Sequence, residues 1–159
     1  KDEEVEDMQT YVMNFRKKLF PMLDNSIIPQ DIKQFAERYV KHENSIFLQA
    51  KDKYNNLIGV IGMMPYDHRF PYLNYTNRKT VEVARLFVDP SYRRLGLGSA
   101  MFDELLNHAK TKGIEVLYLH THYFLTGAFE FWKRQGFLHI YTSIDNDQET
   151  LHMEKIIEY

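Results

Sequence analysis

Apolar residues in the opening stretch recur at steps of three and four: Val5, Met8, Val12, Phe15 and Leu19. That spacing lines one face of an α-helix. Acidic residues sit in its first turn, where they complement the helix dipole. Pro21 ends it, because proline removes a backbone donor and crowds the preceding turn. Pro29-Gln30-Asp31 opens a second helix with Ile32, Phe35, Ala36 and Tyr39 turned inward. The period then changes. Ser45 to Lys51 and Leu57 to Met64 read as strands of a hairpin around Asp52-Lys53-Tyr54-Asn55-Asn56. Val81 to Val88 is a third strand, β-branched and apolar, closed by Asp89-Pro90. From Ala100 to Ala109 the helical period returns, with Met101, Leu105 and Ala109 beside Phe102 and Leu106. Glu115 to His120 predicts a buried strand, and Leu125 to Gln135 a helix capped by Gly136. Phe137 to Ile144 and Thr150 to Ile157 are strands around Asp145-Asn146-Asp147-Gln148.

With 159 residues and 44% of them hydrophobic, the chain is expected to form one domain over 1–159 with a sizeable core. The element order fits a mixed, mostly antiparallel sheet flanked by helices. A net charge of −2 offers nucleic acid no basic face. The absence of cysteine excludes disulfides, cysteine metal sites and a thiol nucleophile. No apolar run has the length of a membrane span and no signal-peptide layout opens the chain, so cytoplasm is the expected compartment and no membrane partner is expected. The chain begins at Lys1 rather than methionine, which leaves room for an upstream segment. Pro65 to Arg78 joins two strands that a short turn would serve. Its tyrosines with Asp67, His68 and Arg69 suit a specificity loop or a subunit contact, or an insertion packed on its own aromatics. Function is the preferred reading, since long ordered loops often carry it.

Candidate chemistry gathers at Arg93-Arg94-Leu95-Gly96-Leu97-Gly98-Ser99, a strand-to-helix turn. Such a turn presents unpaired N–H groups and the positive end of a helix dipole, which together bind phosphate. A glycine turn by itself only marks a bend. This one lacks the Lys-Ser/Thr ending of a P-loop and the third glycine of a dinucleotide site. Arg-x-x-Gly-x-Gly after a strand ending Leu86-Phe87-Val88-Asp89-Pro90 resembles the acetyl-CoA loop of the GNAT superfamily, the acyl-CoA-dependent N-acetyltransferases. Ala128-Phe129-Glu130-Phe131-Trp132-Lys133-Arg134-Gln135-Gly136-Phe137 is similar to that family's helix ending in Gly-Phe. The match is specific from about Val81 to Phe137. Elsewhere it is one of element order. The resemblance implies an α/β (α+β) fold: a mixed, mostly antiparallel sheet of roughly six or seven strands flanked by about four helices. It also implies that Met22 to Ile28 overhangs the acceptor site.

For the site, the resemblance implies acetyl-CoA as co-substrate and no metal. Pyrophosphate would rest on backbone N–H groups from Arg94 through Ser99, with Arg93 and Arg94 adding charge. Gly96 and Gly98 would leave out a Cβ that blocks close approach. The pantetheine arm would pair along Leu86, Phe87 and Val88, and an N–H near Leu86 or Phe87 would polarise the thioester carbonyl. Glu82 is the leading base. It shares a side with Ala84 and Leu86 if alternation is unbroken, and a bulge near Leu86 would change that. Its alternative role is an ion pair with Arg85 or a neighbouring strand's cation. His120 and His122 are rival bases, or caps of their strand's end.

The family's tyrosine position holds Trp132, whose indole N–H donates hydrogen bonds but cannot protonate a thiolate. The frequent asparagine upstream is replaced by Leu125. Tyr123 or Tyr141 would then reach the sulfur, water would protonate it, or no acid is needed. The expected function is acetyl transfer from acetyl-CoA to a primary amine of a small molecule, with Tyr66, Asp67, His68, Arg69 and Tyr72 as a polar, aromatic-walled acceptor site. The alternatives are a non-catalytic acyl-CoA sensor and a peptide or protein N-acetyltransferase. A homodimer through the last strands is expected by family habit.

Overall fold

The structure is a computed structural model describing residues 2–145 and 147–159. The predicted turn at Asp145–Gln148 includes Asn146, which lies outside the described residues. Helix α1 (Asp2–Leu19) buries Met8, Val12 and Phe15, as its spacing predicts. The second predicted helix divides into one turn, α2 (Gln30–Lys33), and a π-helical stretch, Ala36–Lys41. Ile32, Phe35 and Tyr39 are all buried. The wider π turn keeps Tyr39 in the core against Phe35 and Phe47, at ring distances of 5.1 Å each.

Among the described residues six strands form one sheet: β1 (Ile46–Lys51), β2 (Leu57–Pro65), β3 (Thr80–Val88), β4 (Val116–Thr121), β5 (Leu138–Asp145) and β6 (Gln148–Ile156). Their spatial order is β1-β2-β3-β4-β6-β5. Every neighbour is antiparallel except β3 with β4. Helices α3 (Leu97–Thr111) and α4 (Ala128–Arg134) lie on one face. There Met101, Phe102, Leu105, Ala109 and Trp132 join Val81, Val83, Leu117 and Met153 in the main core. On the other face α1, α2 and the π-helical stretch pack on Val60, Met64 and Phe87.

The Pro65–Arg78 segment covers the rest of that second face. Tyr66 and Tyr75 are buried against Val116 and Tyr118, with Phe70 and Leu73 beside them. Tyr75 donates to Glu154 Oε1 at 2.7 Å. Strand β5 departs from alternation, with nearly every position exposed. It is an edge strand that meets the rest of the molecule beyond β6 at few points, His139 against Phe129 of α4 and Tyr141 against Tyr72, so both of its faces stay largely open.

Candidate active site

The site begins with an incomplete strand pairing. Strands β3 and β4 pair only from Thr80–Val116 to Glu82–Tyr118 and then part. A bulge widens the gap: Val60 of β2 faces Phe87 and Gly62 faces Ala84, so β3 carries one extra residue there. Arg85 takes it up with φ of 60°, a left-handed conformation uncommon outside glycine. The extra residue reverses the strand's faces. Glu82 shares the α1 face with Ala84, but Leu86 turns to the α3 core and Phe87 replaces it on the α1 face. The bulge that would change the count is thus present beside Leu86, and Leu86 leaves the side that Glu82 and Ala84 share.

Between the parted strands lies a cleft of about 1210 Å³. One end is the turn into α3. That helix starts at Leu97, three residues earlier than its apolar period indicates, so Gly98 and Ser99 belong to its first turn. Gly96 is its N-cap with φ of 80° and supplies no side-chain cap. The N–H groups of the first turn are thus free of helix partners, the first backbone bond being Ala100 N to Gly96 O at 3.0 Å. The two glycines serve different ends. A Cβ on Gly96 would meet nothing within 4 Å, so its need is conformational. A Cβ on Gly98 would come within 3.3 Å of the Phe131 ring. Arg93, Arg94, Gly96, Leu97, Gly98 and Ser99 line the cleft with Leu86, Phe87, Val88 and Trp132; Leu95 points to solvent instead.

The other end is ionic. Glu82 is 3% exposed and holds Arg69 through both oxygens, Nη1 to Oε1 at 2.7 Å and Nη2 to Oε2 at 2.8 Å. Burial pushes the Glu82 carboxyl up, and the Arg69 guanidinium opposes part of that. Asp67 orients Arg69 in turn, accepting from Nη1 at 2.9 Å. The cation thus comes from the long loop and not from Arg85, which pairs with Asp31 at 2.7 and 2.9 Å. His120 Nδ1 is buried without a hydrogen-bond partner, 3.6 Å from Glu82 Oε2. The ring itself is 32% exposed. Burial, then the Arg69 charge, push it down to about 3, so it is a neutral imidazole near pH 7. His122 also lines the cleft, its Nδ1 3.0 Å from the Glu149 carbonyl and its ring stacked on Phe124.

Neither candidate tyrosine lines this cleft. Tyr123 is 58% exposed, edge-on to Phe129. Tyr141 is 43% exposed on the edge strand and stacked on Tyr72, ring centres 4.4 Å apart. Their ring contacts hold both outside the cleft, and this corrects their assignment as acids. Tyr92, which spacing did not single out, does line the cleft from the 3₁₀ turn (Pro90–Tyr92) before the glycine loop. Trp132 is buried edge-on to Phe102, Phe131 and Phe137, so its ring is both core and cleft wall. Of the long loop, Asp67 and Arg69 reach the cleft, whereas Tyr66 and Tyr72 pack elsewhere.

A family model described as the acetyltransferase (GNAT) family matches residues 10–137, most of the chain, including both the turn into α3 and Trp132. The chain belongs to the GNAT acetyltransferase family. An uncharacterized N-acetyltransferase of Methanocaldococcus jannaschii is 36% identical over 64 residues, 40% of this chain and 28% of that relative. Human N-acetyltransferase 8 is 26% identical over 107 residues, 67% of this chain and 44% of its own length. The chain thus spans less than half of each of these curated relatives. A GNAT-family acetyltransferase from Staphylococcus aureus Mu50 superposes with a TM-score of 0.76 at 20% identity, covering 99% of this chain and 96% of that one. A PaiA N-acetyltransferase from Thermoplasma acidophilum, solved with coenzyme A, gives 0.68 at 20% identity over 98% and 94%. These two likenesses show the GNAT fold. Among the described residues no group of three or more His, Asp or Glu is arranged to hold a metal ion, and no helix is long and apolar enough to cross a membrane.

Proposed function

We propose that this protein transfers an acetyl group from acetyl-CoA to a primary amine of a small molecule. The observation that carries the reading is that one cleft joins an uncapped helix N-terminus at one end to a buried carboxylate and a neutral imidazole at the other. Bound acetyl-CoA would supply an acetyl group activated as a thioester. The residues present fit such a molecule. Gly96 and the first turn of α3 offer backbone donors for phosphate, and Arg93 and Arg94 offer charge. Beyond Glu82 the cleft side of β3 has no strand partner, which leaves backbone groups of Leu86, Phe87 and Val88 for an extended chain.

At the ionic end, Glu82 is too enclosed to take a proton from the acceptor directly. His120 stands between it and the open cleft. Its Nδ1 faces the carboxylate, and its exposed edge is left for the amine. Glu82 and His120 therefore act as a relay: the neutral ring takes the ammonium proton at one nitrogen as its other nitrogen passes a proton to Glu82, so the carboxylate is the base and no imidazolium accumulates. Arg69 and Asp67 hold the carboxylate in place. Trp132 contributes a wall and no proton, so the departing thiolate takes its proton from water.

The acceptor end carries no surplus of either charge, since the three carboxylates of Asp31, Asp67 and Glu82 are matched by Arg38, Arg69 and Arg85. This favours a small polar amine over a polycation. The same Arg69 lock on Glu82, with Trp132 at the tyrosine position, is what a non-catalytic acyl-CoA sensor would also show. Calorimetric titration with coenzyme A, then an assay of CoA release over amino acids, polyamines, aminoglycosides and peptide N-termini, separates the two. Binding with release supports the transferase. Binding with no release from any amine supports the sensor.

A further inference from the structure

The bulge in β3 depends on one side chain from outside the sheet. Arg85 holds a left-handed conformation in the middle of the central strand, where nothing in its own chemistry favours it. Its guanidinium is anchored in two places, Nε to Asp31 Oδ2 at 2.9 Å and Nη2 to Asp31 Oδ1 at 2.7 Å. Tyr39 fixes the same carboxylate from behind, donating to Oδ2 at 2.6 Å. The anchorage is enclosed: Tyr39 and Asp31 are buried, and Arg85 is mostly so. Arg85 holds the Asp31 carboxyl below its usual range although burial works against it. Even the space is prepared. A Cβ on Gly62, the β2 residue beside the bulge, would come within 2.8 Å of the Tyr39 ring and 2.7 Å of Phe47. Asp31 and Arg85 both line the cleft, on the segment where β3 and β4 have parted.

The geometry points to Asp31 as a positioning residue: through the Arg85 side chain, with Tyr39 behind it, Asp31 holds the bulge that opens the cleft and sets the unpaired edge of β3. It touches neither reacting partner and acts on the backbone at Arg85 and Leu86. The consequence is unusual for a buried ion pair. If the tether exists to impose a left-handed residue, a glycine at position 85, which adopts that conformation without strain, makes the tether unnecessary.

The inference rests on the acetyl-transfer reading, and its test compares wild type, Asp31→Asn and the double variant Asp31→Asn/Arg85→Gly. Asp31→Asn is expected to lower kcat roughly 10- to 100-fold, the usual effect of a misplacement near 1 Å, with the amine KM within about twofold. The double variant is expected to regain most of that loss, since its buried pair is gone from both sides and its backbone is free to form the bulge. A double variant as impaired as Asp31→Asn, or worse, overturns the proposal, as does a raised amine KM at unchanged kcat, which would make Asp31 a substrate contact. Should Asp31→Asn not fold, the double variant decides alone: folded with most of the wild-type kcat supports the tether, folded and inactive overturns it. If wild type transfers no acetyl group, the functional reading fails by itself. The tether is then judged by the crystal structure of Asp31→Asn, where residue 85 leaving the left-handed region supports it and residue 85 remaining there refutes it.

Discussion

Arg69→Leu isolates what the long loop does for the cleft. Glu82 lies 3% exposed, its two oxygens 2.7 and 2.8 Å from the Arg69 guanidinium. Leucine removes both donors and the guanidinium's place over the Phe70 ring, and neutral His120, 3.6 Å from Glu82, does not replace the donors. Breaking a buried pair from one side costs about 3–5 kcal/mol. Arg69 is 36% exposed and water shares its site, so about 2–3 kcal/mol is expected here. The cost depends on pH, and its sign follows from burial. With Arg69 gone, burial acts unopposed and the folded Glu82 carboxyl rises further above its unfolded value near 4.3. A group whose folded pKa is raised gives its full stability below the unfolded value and loses it as pH climbs through the folded value. The variant should therefore approach wild type near pH 5 and fall furthest behind near pH 8. Urea unfolding at both values measures this, and Glu82→Gln added to Arg69→Leu should remove most of the pH dependence. A deficit equal at pH 5 and pH 8 would refute the reasoning, because no buried carboxylate would then be at issue.

His152 should make the fold sensitive to acid. It is fully buried between Tyr118 at 2.7 Å and Ser143 at 2.8 Å, and burial lowers it to about 4. Its contribution is present above the unfolded value near 6.5 and is lost as pH falls through about 4, up to about 3 kcal/mol, so His152→Gln should flatten stability against pH in that window by urea titration. Gly96→Val must place a branched residue at φ of 80°, costing roughly 1–2 kcal/mol and the shape of the turn. Calorimetry should show coenzyme A affinity severely reduced in a protein that still folds. Tyr123→Phe and Tyr141→Phe should leave kcat within about twofold, since neither hydroxyl lines the cleft, and Trp132→Phe should keep most activity with an aromatic wall in place. A large loss of kcat in either tyrosine variant would restore that residue as acid.

Periodicity carried the elements it should carry. Met8, Val12 and Phe15 are buried as spaced, and so are Met101, Leu105 and Ala109. The glycine turn was legible because its neighbours change period around it. Three features were not legible, each for a physical reason. Pairing register decides the bulge, and nothing local to Arg85 marks a left-handed residue. The partner of Glu82 comes from a loop thirteen residues upstream, placed by burial of Tyr66 and Tyr75 rather than by any spacing. The exposure of Tyr141 follows from the edge position of β5, a property of strand order.

The central claim is that the cleft is the donor site of an acetyl transfer whose proton leaves by Glu82 and His120. The pH profile of turnover, measured by CoA release for wild type and Glu82→Gln with the best amine of the panel, tests it most directly. The account predicts that Glu82→Gln binds coenzyme A as wild type does. Near pH 7 it turns over roughly 10²- to 10⁴-fold more slowly. It recovers part of that loss at high pH, where the amine is already neutral. A variant as active as wild type across the whole range would contradict the claim.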